Sequence, residues 1–164
     1  MKIAFIGTGL MGYPMAKNLI NEKLNLKVFS RTLEKANPLE KLGAIIANSL
    51  GEAVKEADIV ITMLTDDEAV EKVLGNQEFL NNLKNSSTVI DMSSIKPKIA
   101  IQYGKLLKDR NIHFLDAPVS GGTIGAEEGS LAIMVGGDQN VFDGVFDTLK
   151  IMGNPTLVGP IGSG

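Results

Sequence analysis

The chain has 164 residues, 44% hydrophobic and 21% charged, which suits one domain able to bury about 70% of its unfolded surface. A net charge of −3 without a basic cluster excludes a nucleic-acid footprint, and the lack of cysteine excludes disulfides and thiolate chemistry and fits a reducing compartment. The apolar stretch after Lys2 is too short for a signal peptide and no run approaches a membrane span, so a cytoplasmic protein without membrane partners is expected.

Lys2 to Ile6 is nearly all apolar, as a parallel strand covered on both faces should be. It runs into Gly7-Thr8-Gly9-Leu10-Met11-Gly12, a G-x-G-x-x-G turn. Leu10, Met11, Met15, Leu19 and Ile20 then share one face of a helix expected over residues 10–21. Strand, glycine turn and helix in that order form the phosphate-gripping end of a dinucleotide-binding unit. Gly7 allows the turn, Gly9 lets the backbone approach a pyrophosphate, and Gly12 lets the helix pack closely on the strand. The helix N-terminus offers unpaired N–H groups and a partial positive charge to the anion.

A second strand over 26–29 ends at Ser30-Arg31-Thr32, with Thr32 as N-cap of a helix that Pro38 breaks or restarts. A short third strand (44–47), a brief helix (49–56) and a strong fourth strand (58–64) follow. Thr65-Asp66-Asp67 caps a helix carrying Val70, Val73 and Leu74 on one face, and residues 77–83 make a second helical piece. The fifth strand covers 88–92. Pro97 suits the first position of a helix whose Ile99, Tyr103, Leu106 and Leu107 face inward. A sixth strand over 112–119 leads into a glycine-rich loop over 120–129. Residues 131–135 are strand-like, Val141, Phe142, Val145, Phe146 and Leu149 mark the last helix, and 156–158 add an edge strand. This alternation with short connections predicts a doubly wound, mainly parallel α/β sheet of Rossmann type.

Dinucleotide sites commonly place a carboxylate after the second strand, where it accepts from the adenosine ribose hydroxyls. Here Ser30, Arg31 and Thr32 stand there instead, suited to a 2′-phosphate. Charge-assisted bonds worth roughly 1.5–3 kcal/mol each correspond to about tenfold or more in favour of NADP over NAD. The missing carboxylate also counts against S-adenosylmethionine and a methyltransferase. The plainer alternative makes Arg31 a solvated loop residue. Ligands of open parallel sheets sit beyond the carboxyl edge of the strands, which here carries Met63-Leu64-Thr65 and Asp91-Met92-Ser93-Ser94. Thr65 and Ser94 serve there either as cofactor contacts or as mere helix caps. Ser120-Gly121-Gly122 exposes N–H groups and a hydroxyl that suit a small carboxylate, or forms a plain flexible loop. His113, the one histidine, sits in an apolar strand pattern and reads as a packed residue, not a catalytic base. The methionines at 11, 15 and 63 read as packing, and Asp66, Asp67, Glu127 and Glu128 as helix-start or solvated charges, with no metal-ligand cluster.

These motifs resemble the N-terminal domain of the β-hydroxyacid dehydrogenases, the family of 3-hydroxyisobutyrate dehydrogenase and tartronate semialdehyde reductase. The resemblance rests on Phe5 to Met15 with Asn18, on Asp91-Met92-Ser93-Ser94, and on Asp116-Ala117-Pro118-Val119-Ser120-Gly121-Gly122. Gly129-Ser130-Leu131-Ala132-Ile133-Met134-Val135-Gly136-Gly137 and Gly159-Pro160-Ile161-Gly162-Ser163-Gly164 extend it. It implies an NADP-dependent oxidoreductase that interconverts a small β-hydroxyacid with its semialdehyde or keto acid. It assigns the Gly7 to Gly12 turn to the pyrophosphate, Met63-Leu64-Thr65 to the nucleotide, Ser94 to the nicotinamide side and Ser120-Gly121-Gly122 to the substrate carboxylate. Ser30-Arg31-Thr32 looks like the NADP-preferring branch. Thr65 departs from the family, which usually has proline there.

Family members continue beyond G-x-G to a lysine, the general acid, and then asparagines. The resemblance therefore implies a dinucleotide-binding domain over 1–158, the start of an interdomain connection over 159–164, and a truncated chain. The family's catalytic lysine and all-helical C-terminal domain, and with them any homo-oligomer contacts, belong to the longer enzyme. No lysine of this chain matches the catalytic motif, so no catalytic residue is assigned in it. A non-catalytic NADP-binding module is the alternative.

Overall fold

In the computed structural model, which describes residues 1–164, β1 (Lys2–Ile6) alternates between two cores. Ile3 and Phe5 face one, Ala4 and Ile6 the other. That double burial is why the strand is apolar throughout. Helix α1 (Gly12–Asn21) begins two residues later than expected, because Leu10 belongs to the turn and is 85% exposed. β2 (Asn25–Phe29) pairs with β1 in parallel register.

Beyond β2 a 3₁₀ turn, Leu33–Lys35, precedes the short α2 (Asn37–Glu40), in which Pro38 occupies the first turn. Thr32 stands at the head of that 3₁₀ turn, but its side chain accepts no capping hydrogen bond. β3 (Ile45–Ile46) and α3 (Leu50–Val54, capped by Ser49) follow, then β4 (Ile59–Thr62). Asp66 caps α4 (Asp67–Leu74) and Asn76 caps α5 (Gln77–Asn82). β5 (Thr88–Asp91) and α6 (Pro97–Lys108) follow, and Pro97 opens α6 as expected.

The expected sixth strand is two strands. β6 (His113–Asp116) runs parallel to β5, the chain leaves the ladder at Ala117-Pro118, and β7 (Val119–Ser120) pairs antiparallel with β8 (Leu131–Gly136). Pro118 has no N–H to give a ladder, which accounts for the break. The expected glycine-rich loop is mostly helix, α7 (Gly122–Glu128), ended by Gly129 in the left-handed conformation. Helix α8 (Gln139–Met152), capped by Asp138, returns the chain to β9 (Gly153–Gly159), which pairs parallel with β8 and is longer than the expected edge strand.

Strand order is β3-β2-β1-β4-β5-β6-β8-β7, with β9 on the other side of β8. The first six strands form the 3-2-1-4-5-6 order of a doubly wound sheet, whose direction of winding reverses between β1 and β4. Met15, Leu19, Leu39, Ala126, Val145 and Leu149 from α1, α2, α7 and α8 cover one face. Val54, Val70, Leu74, Phe79, Tyr103 and Leu107 from α3 to α6 cover the other. No helix is long and apolar enough to cross a membrane.

Candidate functional site

The reversal of winding leaves a groove of about 400 Å³ beyond the carboxyl ends of β1, β2 and β4. Gly7 adopts φ +101°, open to glycine at little cost, and a Cβ there would collide with the carbonyl oxygen of Met63. A Cβ on Gly12 would collide with the Gly7 carbonyl oxygen and touch Phe5 at 3.3 Å, so the close helix-on-strand packing assigned to this glycine is present. A Cβ on Gly9 would meet nothing within 4 Å, and this residue lines the groove. The turn thus places bare backbone at the head of α1, where a helix offers unpaired N–H groups. Thr8 is buried, and its hydroxyl has no protein partner.

Of the residues expected to hold a cofactor, this groove brings together Gly7, Thr8, Gly9, Ser30, Arg31, Thr32, Met63, Leu64 and Thr65. Ser30 is buried, whereas Arg31 and Thr32 are exposed at its mouth. Leu10, Met11 and Gly12 form the turn and helix start beside the groove and do not line it. Ser94, beyond the end of β5, and Ser120-Gly121-Gly122, where β7 passes into α7, are exposed and also lie outside it. Among the further residues of the groove, three are polar and were not expected from the sequence: Lys35, Lys72 and Asn76. Lys35 comes from the 3₁₀ turn, and Lys72 and Asn76 come from the end of α4 and the residue capping α5. Lys35, four residues after Arg31, was within reach of a charge count along the loop. Lys72 was not, because only the fold brings α4 opposite β2.

Two buried carboxyls brace the same edge of the sheet from below, and their strands pair Asp91 with Asp116. Asp91 Oδ1 accepts from Thr62 Oγ1 (2.8 Å), Ser93 Oγ (2.7 Å) and the Ser93 N–H (3.3 Å). Burial pushes this carboxyl up to about 6, against the lowering by these hydrogen bonds, and the negative charge of Asp116 adds to the rise. Asp116 accepts from the Gly162 N–H (2.8 Å) and the Gly164 N–H (2.9 Å), tying the glycine-rich segment after β9 to the end of β6. Burial raises Asp116 as well, opposed by those N–H groups.

His113 is exposed, not packed as expected. It opens β6 at the amino end of the strand, beside Asn140 and Val141, across the sheet from the groove. As the first residue of the strand it stands at the rim of the sheet, outside the two cores that take Phe114 and Leu115. Asp66 is a helix cap, Asp67 accepts from the Lys96 N–H, and no group of acids or histidines is placed to hold a metal ion.

Comparison with known proteins agrees with this geometry. The family model described as the NAD binding domain of 6-phosphogluconate dehydrogenase matches residues 2–162. An uncharacterized oxidoreductase of Bacillus subtilis (strain 168) is 41% identical over 164 residues, covering 99% of this chain and 57% of its own. The 2-hydroxy-3-oxopropionate reductase of Escherichia coli (strain K12) is 40% identical over 166 residues, covering 100% and 56%. Among solved structures, 3-hydroxyisobutyrate dehydrogenase of Mycobacterium tuberculosis superposes with a TM-score of 0.94 at 35% identity, covering 99% of this chain and 56% of that one. The chain therefore spans just over half the length of each of these relatives.

Proposed function

The chain belongs to the family of the 6-phosphogluconate dehydrogenase NAD-binding domain and corresponds to the N-terminal domain of the β-hydroxyacid dehydrogenases; from that premise we propose that it serves an NADP-dependent oxidoreductase acting on a small β-hydroxyacid. The observation that carries the proposal is the groove in which the bare Gly7–Gly9 backbone faces the same space as Arg31 and Lys35. Backbone N–H groups at a helix head suit a pyrophosphate, and two cations with the Ser30 and Thr32 hydroxyls suit a further phosphate on the ribose. No carboxylate lines this groove to bind the bare ribose hydroxyls.

NADP would supply the hydride acceptor, and NADPH the hydride donor, in this reaction. The protein's own residues position and neutralise. The turn before α1 would hold the pyrophosphate, Arg31 and Lys35 the 2′-phosphate, Met63-Leu64-Thr65 the nucleotide, and Ser94 the nicotinamide side. The N–H groups of Gly121 and Gly122, at φ +142° and +63°, would take the substrate carboxylate together with Ser120. Thr65 stands where relatives of this class usually carry proline, so the loop keeps an additional N–H and hydroxyl.

A fluorescence titration of the 164-residue chain tests the cofactor reading. NADPH should bind about tenfold or more tightly than NADH; equal affinity, or tighter NADH, overturns the assignment to Arg31 and Lys35. A screen of small hydroxyacids with NADP on the protein as its full reading frame encodes it tests the reaction. Cofactor binding there without turnover of any hydroxyacid would favour a non-catalytic binding module.

A further inference from the structure

The loop after β4 leaves the sheet at Met63, whose N–H still reaches the Ile6 carbonyl (2.9 Å). Leu64 has no strand neighbour to accept its N–H. Its partner comes from another loop, 29 residues further on: Ser93 Oγ accepts this N–H at 2.8 Å. The same Ser93 hydroxyl donates to Asp91 Oδ1, where Thr62 Oγ1 also donates. Asp91 is wholly buried, and its other oxygen, Oδ2, has no partner. A carboxyl kept in the interior with one oxygen unpaired is a costly choice for packing alone.

The chain of contacts continues to the phosphate turn. The Met63 carbonyl backs directly onto Gly7, and Leu64 Cδ2 would stand 3.0 Å from a Cβ there. Any shift of residues 63–65 away from β5 therefore opens or closes the groove against the Gly7–Gly9 backbone.

We infer that Asp91, without touching the ligand, is the positioning residue that locks the loop after β4 to the loop after β5 through Ser93, and so sets how the nucleotide-binding turn meets Met63-Leu64-Thr65. The inference rests on the dinucleotide reading of the groove and deepens it. Ser93 and Thr62 are the relay: one carboxyl oxygen fixes both hydroxyl rotors, which leaves the Ser93 lone pair aimed at the Leu64 N–H. Arg31 and Lys35, reached from β2 and the turn after it, lie outside this relay. Met63-Leu64-Thr65 line the same groove as Arg31 and Lys35, so loss of Asp91 should injure both ligands, the whole dinucleotide more than an adenosine half that those two cations still hold.

The test compares affinities of the 164-residue chain for a dinucleotide and for its adenosine half, NADPH with 2′,5′-ADP and NADH with 5′-AMP. Asp91→Ala should weaken the dinucleotide by about tenfold and the adenosine half by no more than about threefold. Asp91→Asn, which keeps an acceptor at Oδ1, should restore the dinucleotide to within about threefold of the parent. Ser93→Ala cuts the link to Leu64 without emptying the buried acid site, and should reproduce the same split if Asp91→Ala does not fold. Equal losses for whole and half ligands in the folded variants, or no loss for either, overturn the assignment. A parent chain that binds neither the dinucleotides nor their halves overturns the dinucleotide reading and the inference together.

Discussion

Arg31 is exposed at the mouth of the groove, where the end of β2 commonly presents a carboxylate. On the proposed reading it serves a single ligand phosphate, so its replacement should change affinity and leave the fold alone. Arg31→Asp should weaken NADPH by about tenfold or more and improve NADH, read by the same fluorescence titration; unchanged constants for both would mean that this guanidinium does not meet the phosphate. Gly12 answers to the opposite logic. A methyl group there runs into the Gly7 carbonyl oxygen, a backbone atom that cannot swing aside. Gly12→Ala should therefore destabilise by about 1–3 kcal/mol or more, seen as a lowered urea midpoint, and should damage nucleotide binding through the displaced turn. A variant as stable as the parent would show that α1 can slide.

At the scale of elements, the caps are local and strong while the surface ion pairs are weak. Asp138 Oδ1 accepts from the N–H groups of Asn140 and Val141 at the head of α8, the helix that connects β8 to β9. Asp138→Ala should cost about 1 kcal/mol, measurable as a lower melting temperature; no shift would mean that water replaces the cap without loss. Lys72 and Glu68 pair at 2.9 Å along α4 with both side chains largely exposed. Their separation should change stability by less than about 0.5 kcal/mol, yet it frees a cation beside the groove. Element by element, sequence patterning succeeded where burial is continuous. β1 and β4 are buried on both faces and read as apolar runs. α7 was missed because Gly121, Gly122, Gly125 and Gly129 suppress every local helix signal. Its existence is tertiary: Ala126 packs into the core and the Asn18 side chain of α1 donates to the Ala126 carbonyl at 2.8 Å. Residues 112–119 pattern as one strand, but the missing N–H of Pro118 splits it into β6 and β7.

At the scale of the whole molecule, the two buried acids give stability a pH dependence of definite sign. Burial pushes Asp91 from 3.8 up to about 6, with Asp116 on β6 as its charged neighbour, and burial raises Asp116 in turn. Between those two values the folded chain holds a proton that the unfolded chain has released. Stability from Asp91 is therefore fullest in the acid range, falls as pH climbs through about 4 to 6, and levels off above it, by roughly 3 kcal/mol in all. Glu56 and Asp58 act in the other direction, lowered by their hydrogen bonds to Lys2 and Lys84, but both lie at the surface and contribute little. Thermal unfolding followed from about pH 4.5 to pH 7.5 should show the decline, and Asp91→Asn should flatten it; a decline that persists undiminished in the variant would trace it to other groups. The fold class, the parallel strands, the glycine turn and the place of Arg31 just after β2 were determined by sequence alone, since each depends on near neighbours: burial period, backbone freedom, and a charge at a strand end. Only the tertiary structure decided that Lys72 shares a groove with Arg31, that His113 faces solvent, and that Asp91 reaches Leu64 through Ser93. Those partners lie tens of residues apart, and no local propensity records which strands a sheet sets side by side.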